Sequence, residues 1–213
     1  MKNRVSTAEE AAASIRDGMT VAMSGYAMAG YPKAVVEALV QRKQNGEDLS
    51  LTLITGANVP WLDDTLGAES IISRRAPMVA SRTLAAQAND GSLRYVEQQM
   101  SKMPRLLTSS SFGKINIAVV EALGFDEEGD LIPTSSVGMT HYLMDKADEI
   151  IVEINAAQPE ILRDLHDIYI PAAAPDTQPI PLVRTGQRIG RSGIPVDSGK
   201  IRCIVETDIP ERM

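Results

Sequence analysis

The stretch from Val21 to Val36, with Gly25, Gly30 and Pro32 inside it, constrains the fold more than any other part of the chain. It starts apolar and β-prone, crosses a loop of small residues and opens a helix at Pro32. Proline suits a first helical turn because its φ is already helical and its missing N–H would find no partner there. Gly25 and Gly30 allow a sharp turn, or a close backbone approach that a Cβ would block. The free N–H groups of a helix start favour an anion or a polarised carbonyl. An ordinary strand-to-helix connection accounts for the same residues, and both readings stay open here. The glycine spacing fits neither a P-loop, since no Gly-Lys-Ser/Thr follows, nor a Gly-x-Gly-x-x-Gly dinucleotide loop.

The flanking segments extend this into a layered α/β pattern. Ser6-Thr7-Ala8-Glu9 has the form of a capping box, Ser6 and Glu9 meeting N–H groups of the first turn. Ala8, Ala11, Ala12 and Ile15 follow at helical spacing, and Asp17-Gly18 stops the helix. Thr20–Ser24 reads as a strand, 32–45 as a helix with Val35, Val36, Leu39 and Val40 on one face, and Ser50–Ile54 as the next strand. That order implies parallel strands joined by a crossover helix. Thr55-Gly56-Ala57-Asn58 lies at the carboxyl end of the second strand, where open α/β sheets place ligands. Trp61 beside it reads as a loop anchor.

Farther on, 71–103 gives little pattern. Arg74, Arg75 and Arg82 are its densest cations, read first as a solvated face and second as an anion site. Asn89 to Ser92 is a turn. Ile115–Glu121 is nearly continuous in apolar residues, hence a buried central strand, and Asp126–Asp130 is a charged turn. Pro133-Thr134-Ser135-Ser136-Val137-Gly138 sets three hydroxyls and a glycine before the amphipathic segment Met139–Lys146. The hydroxyls either cap that helix or, with nearby N–H groups, line a pocket for a carboxylate or thioester oxygen. Glu149–Ile154 and Lys200–Thr207 read as strands. Residues 170–196 hold five of the twelve prolines and read as an extended arm or hairpin.

Composition sharpens the functional classes. Aromatics make up 4% of the 213 residues, so a core of Ala, Val, Ile, Leu and Met is expected. A net charge of −7 argues against a nucleic-acid partner, and an anionic ligand would need local cations or helix starts. The lone Cys203 sits in an apolar strand as buried filler and excludes an internal disulfide. His141 and His166 have no metal-ligand spacing, and His166 reads as structural rather than as a base. No apolar run approaches the ~18 residues of a membrane span. With no signal-peptide core at the start, a cytoplasmic chain is expected.

Six segments in register resemble the acetyl-CoA hydrolase/transferase family: Ser24–Val35, Leu53–Ala57, Gly113–Ala122, Ile132–Gly138, Ile150–Asn155 and His166–Ile168. The resemblance covers nearly the whole chain. It implies that 1–213 is the N-terminal domain of a two-half enzyme, an open, mostly parallel sheet flanked by helices, as in CoA-transferases and sugar-phosphate isomerases. It implies covalent catalysis through a glutamyl-CoA thioester, with coenzyme A as substrate and no permanently bound cofactor. The glutamate belongs to the second half of such enzymes, so no catalytic residue is expected in this chain: Glu121 and Glu153 stand at strand ends, Glu127 and Glu128 in a turn. The missing half would come from the same polypeptide or a partner subunit, and the complete enzyme would be a homodimer.

What remains for this half is the substrate wall. Gly25, Gly30, Thr134, Ser135, Ser136, Val137 and Gly138 would face acyl-CoA and short carboxylates. Arg212 falls where relatives carry an arginine that pairs with a substrate carboxylate, a task suited to its planar fork. The chain departs from those relatives at Met139, usually asparagine, at the apolar run Ala76–Ala80, and in its less basic tail. A second reading is a stand-alone module that binds a small carboxylate or CoA ester without chemistry.

Overall fold

A computed structural model describes residues 4–172 and 175–212. In chain order the elements are β1 (Val5–Ser6), α1 (Ala8–Ala13), β2 (Thr20–Met23), α2 (Ala34–Gln44), β3 (Leu51–Thr55), α3 (Pro60–Ala68), β4 (Ile72–Ala76), α4 (Arg82–Asp90) and β5 (Arg94–Tyr95). Then come α5 (Met103–Thr108), β6 (Ile115–Phe125), β7 (Leu131–Pro133), α6 (Thr140–Lys146), β8 (Ala147–Asn155) and β9 (Ile201–Thr207). The strands form one sheet in the order β1-β9-β8-β6-β2-β3-β4-β5, parallel throughout, with β7 added antiparallel to β6. The α/β class and the parallel crossover expected from the sequence are both present.

The chain walks outward from β2 through β3 and β4 to β5, then returns to the far side of β2 as β6 and walks outward through β8 to β9. The order therefore reverses between β2 and β6. In open α/β sheets such a reversal opens a crevice outside the carboxyl ends of the strands. The two faces are covered separately. Val21, Met23, Leu51, Leu53, Ile117 and Val119 pack with Val35, Val36 and Leu39 of α2, whereas Ala22, Ile54, Ala118 and Val120 pack with Leu107 of α5 and Leu143 of α6. Alternate residues of each central strand thus enter opposite cores, which is why β6 reads as a continuous apolar run.

Several local expectations shift. The capping box belongs to Thr7 and Glu10, not Ser6 and Glu9, because Ser6 is a strand residue in register with Val205. Helix α2 starts at Ala34 rather than Pro32, with Lys33 as its N-cap in a non-helical conformation. Asn89 and Asp90 still belong to α4, and the turn begins at Gly91, whose φ of +85° ends the helix. Trp61 lies in the first turn of α3 and stacks on Tyr31, with ring centroids 5.5 Å apart. Arg75 is wholly buried rather than solvated, forked onto Asp63 at 2.7 and 3.2 Å.

Cys203 is buried in β9, as expected for filler. The arm at 170–196 has neither helix nor strand among its described residues; Ala173 and Ala174 lie outside them. Single bridges tie its end down, Ile168 to Arg191 and Leu131 to Ile194. Among the described residues no helix is long and apolar enough to cross a membrane, and no group of His, Cys, Asp or Glu could hold a metal ion.

Candidate functional site

Three loops meet above the crevice between β2 and β6: residues 24–31 after β2, 55–59 after β3, and 134–139 after β7. Their glycines make the meeting possible. Gly25 has φ +122°, and a Cβ there would stand 2.8 Å from the Cβ of Tyr31. A Cβ on Gly30, φ +67°, would stand 2.5 Å from the Ser136 hydroxyl oxygen. On Gly56 it would crowd the Gly25 carbonyl at 3.1 Å and the Met139 nitrogen at 3.2 Å. The glycines therefore serve loop-on-loop packing, and hydroxyls complete it. Ser24 Oγ donates to the Gly30 carbonyl (2.8 Å) and accepts from Glu121 N–H (2.9 Å), while Ser136 Oγ donates to the Ala29 carbonyl (2.9 Å).

Beneath the loops lies a buried charge cluster. Lys33, Glu121 and Glu153 are fully or almost fully excluded from solvent. The Lys33 ammonium forms an ion pair with Glu121 Oε2, donates to the Tyr31 carbonyl (2.9 Å) and stands 4.5 Å from the Tyr31 ring centroid. Glu121 also accepts from Thr134 Oγ1 (2.8 Å) and Asn155 Nδ2 (2.9 Å). Glu153 caps helix α2: its oxygens accept N–H groups of Lys33 (2.6 Å), Ala34 (3.1 Å) and Val35 (3.1 Å). The anion that a helix start attracts is thus part of the chain itself. Burial pushes the Glu121 carboxyl up, against the pull of Lys33 and its other donors. Burial also pushes Glu153 up, against its three N–H donors and with Glu121 adding to the rise.

The tail after β9 returns to this cluster. Glu211 Oε1 accepts from Gly30 N–H (2.9 Å), Ser135 Oγ (3.2 Å) and Gln158 Nε2 (3.2 Å), and its Oε2 lies 3.2 Å from the Lys33 ammonium. Asn155 Nδ2 donates to the Ile209 carbonyl (2.8 Å). The Tyr31 hydroxyl donates to the Arg212 carbonyl (2.7 Å) and accepts its N–H (2.9 Å), and burial pushes that phenol up to about 12.

The structure brings Gly25, Gly30 and Thr134 to Gly138 together, but in graded exposure. Gly25, Gly30 and Thr134 are buried, Ser135, Ser136 and Val137 half-buried, and Gly138 exposed with φ +50°. None of the hydroxyls caps α6, whose N-cap Met139 has no side-chain cap. All three turn to partners elsewhere, so the capping alternative falls. The Arg212 side chain leaves in the other direction, to Glu37 of α2 at 2.7 Å, and Glu211 reaches the loops instead. His166 has its Nε2 at 2.7 Å from the Thr134 carbonyl oxygen, behind the same loop. Sequence reasoning missed Lys33, Asn155 and Glu211, and took Glu121 and Glu153 for strand-end residues. A charged residue inside an apolar strand was the available signal for the last two.

Glu121 and Glu153 are committed to internal partners, and the loops present backbone, Tyr26 and Met28 to solvent. The Tyr26–Ala29 turn carrying those side chains is closed by reciprocal hydrogen bonds of 2.9 and 3.1 Å.

Comparison with known proteins agrees with this picture. Residues 1–206 match the family described as "Acetyl-CoA hydrolase/transferase N-terminal domain". A succinyl-CoA:acetate CoA-transferase of Clostridium kluyveri is 38% identical over all of this chain and 40% of its own length. An acetyl-CoA hydrolase of Kluyveromyces lactis is 31% identical over 96% of this chain and 41% of its own. The chain thus spans about 40% of the length of these curated relatives. Among solved structures, RipA from Yersinia pestis superposes over 99% of this chain and 44% of its own with a TM-score of 0.68 at 20% identity. Glutaconate coenzyme A-transferase from Acidaminococcus fermentans covers 70% of this chain and 66% of its own, with a TM-score of 0.58 at 13% identity. At such identities these two establish the fold alone. The chain belongs to the acetyl-CoA hydrolase/transferase family and corresponds to its N-terminal domain.

Proposed function

We propose that this chain is the N-terminal half of an acyl-CoA:carboxylate CoA-transferase, walling the pocket in which a glutamate from outside the chain does the chemistry. That carboxylate attacks the acyl carbonyl and expels CoA thiolate, leaving a mixed anhydride. The thiolate then attacks the glutamyl carbonyl and releases the first carboxylate, giving a glutamyl-CoA thioester. The incoming carboxylate attacks that thioester, and the freed thiolate takes the new acyl group from the resulting anhydride, restoring the glutamate. In a hydrolase, water attacks the thioester instead. The observation that carries the reading is the commitment of Glu121 and Glu153: each is buried and bonded within the chain, directly below loops at the crevice.

The half-buried Ser135, Ser136 and Val137 and the exposed Gly138 would touch substrate, while Gly25, Gly30 and Thr134 shape the loops from behind. Arg212, about half exposed, would swing from Glu37 to a substrate carboxylate. Coenzyme A is a substrate in this reading, the compartment is the cytoplasm and the complete enzyme is a homodimer. The test is an assay with acetyl-CoA and succinate. The chain alone should form no succinyl-CoA, and the chain joined to its C-terminal half should form it. Turnover by the chain alone, persisting in every Glu→Ala variant, would overturn the proposal.

A second reading, a carboxylate-binding module without chemistry, is favoured by Glu211, since the loops already hold one carboxylate through Gly30 N–H and Ser135 Oγ. Calorimetry of the folded chain with acetate, succinate and acetyl-CoA tests it. Binding with no turnover in the joined protein supports the module, and absence of binding rejects it.

A further inference from the structure

Two pairs of like charges stand at register positions of neighbouring strands. Glu121 of β6 faces Glu153 of β8, and Arg74 of β4 faces Arg94 of β5. Neighbouring strands lie about 4.8 Å apart, and like charges directly opposite each other are destabilising. At the glutamates the chain answers the repulsion itself, with the Lys33 ammonium and the start of α2.

At the arginines it does not. The ten ion pairs among the described residues include neither Arg74 nor Arg94. The adjacent Arg75 shows what satisfaction looks like here, with its guanidinium divided between Asp63 and the carbonyls of Ala57 and Ala76. Arg74 and Arg94 instead line a groove of about 570 Å³ with Thr52, Ser73, Gly91 and Ser92. Thr20, Thr52, Arg74 and Arg94 form one polar row across β2, β3, β4 and β5. The row lies toward the amino ends of these strands, at the other end of the sheet from the glycine loops. Asp90, at the neighbouring α4 end, turns its carboxylate onto Ser92 N–H at 2.9 Å.

We propose that this groove binds a phosphoryl group, bridging the Arg74 and Arg94 guanidiniums, at the end of the sheet away from the glycine loops. Two guanidinium forks side by side match the several oxygens and double charge of a phosphate monoester better than the single charge of a short carboxylate. The Thr52 hydroxyl supplies a neutral donor within the same groove, whereas the Ser92 hydroxyl is already given to the Gln87 carbonyl (3.3 Å). The phosphate could arrive free or on a nucleotide, and both present the same chemistry to the arginines.

Amide chemical shifts and calorimetry at low ionic strength test this, with inorganic phosphate and adenosine 3′,5′-bisphosphate as probes. Shifts should concentrate at residues 73–75 and 91–95. R94Q, on the exposed edge strand, should weaken binding about tenfold, R74Q by a similar factor, and R82Q not at all. A tenfold preference for the bisphosphate identifies a nucleotide ligand, and equal affinity identifies free phosphate. Absence of shifts with both probes at millimolar concentration overturns the proposal. So does binding that R74Q and R94Q leave unchanged in variants with native circular dichroism.

Discussion

Arg75 with Asp63 and Lys33 with Glu121 are both ion pairs sealed from solvent beside the same sheet, yet they are built differently. The first is closed: two oxygens meet two nitrogens, and two further guanidinium hydrogens end on carbonyls. The second is open, one ammonium between two carboxylates, with Glu211 arriving from the tail and Glu153 beside Glu121 leaning on a helix start. A closed pair fastens two elements, here α3 to β4. The open cluster instead ties the 24–31 and 134–139 loops to Asn155, Gln158 and the tail, because its carboxylates take hydrogen bonds from several segments. Such fixed donors and acceptors are what a site needs before substrate arrives.

The largest effects come from breaking each pair. Lys33→Met and Arg75→Met should each cost about 3–5 kcal/mol, because a buried carboxylate loses its counter-charge. The doubles separate them. Arg75→Met with Asp63→Leu should regain most of the loss in urea unfolding, since an apolar pair can replace a closed ion pair. Lys33→Met with Glu121→Gln should regain little, because Glu211, Thr134 and Asn155 keep their stranded groups. Equal recovery in both doubles would erase the distinction.

Glu153→Gln should cost about 1–3 kcal/mol, since one amide oxygen replaces two anionic acceptors for three N–H groups. A cost confined to helix α2, read by hydrogen exchange, would sharpen the picture of Glu153 as its cap. The pH dependence follows from the same residue. Burial raises the folded-state pKa of Glu153 above the unfolded value, so the native chain holds a proton that the unfolded chain has released. Stability should therefore fall as pH rises through the window between those two values, by at most about 1.4 kcal/mol per pH unit for one group. Urea midpoints measured upward from pH 4.5 should decline less steeply in Glu153→Gln than in the parent. The smallest effect belongs to Glu211→Gln, about 0.5–1.5 kcal/mol, because its amide oxygen still accepts from Gly30. Glu211→Ala should cost more and broaden the Gly30 and Ser135 amide resonances.

Much of the fold was legible because its signals are local. The strand-loop-helix of residues 20–44 and the apolar run of β6 follow from patterns a few residues long. The cluster was not, because its partners are distant in sequence: Lys33 and Glu121 are 88 residues apart, and Lys33 N–H and Glu153 are 120 apart. Local rules misled where long-range partners won. Thr134, Ser135 and Ser136 look like a helix cap, yet their hydroxyls bond to Glu121, Glu211 and Ala29. Arg74 and Arg75 look like one solvated face, but successive residues of a strand point to opposite sides, and that alternation was the missed clue.

The tail has a practical consequence for anyone cutting or fusing this polypeptide. The family match ends at residue 206, one short of the last residue of β9, and a boundary drawn there would keep nearly the whole sheet. It would remove the Ile209 carbonyl, the Glu211 carboxylate and the Arg212 backbone, leaving Asn155, Gly30, Ser135 and Tyr31 without those partners. A tag joined directly after Arg212 would emerge beside Tyr31 and crowd the crevice. One placed ahead of Arg4, which is tied to the Ser198 carbonyl at 2.5 Å, would leave from the amino end of the strands, away from the tail. For this molecule, the sensible cutting point is set by hydrogen bonds rather than by strands.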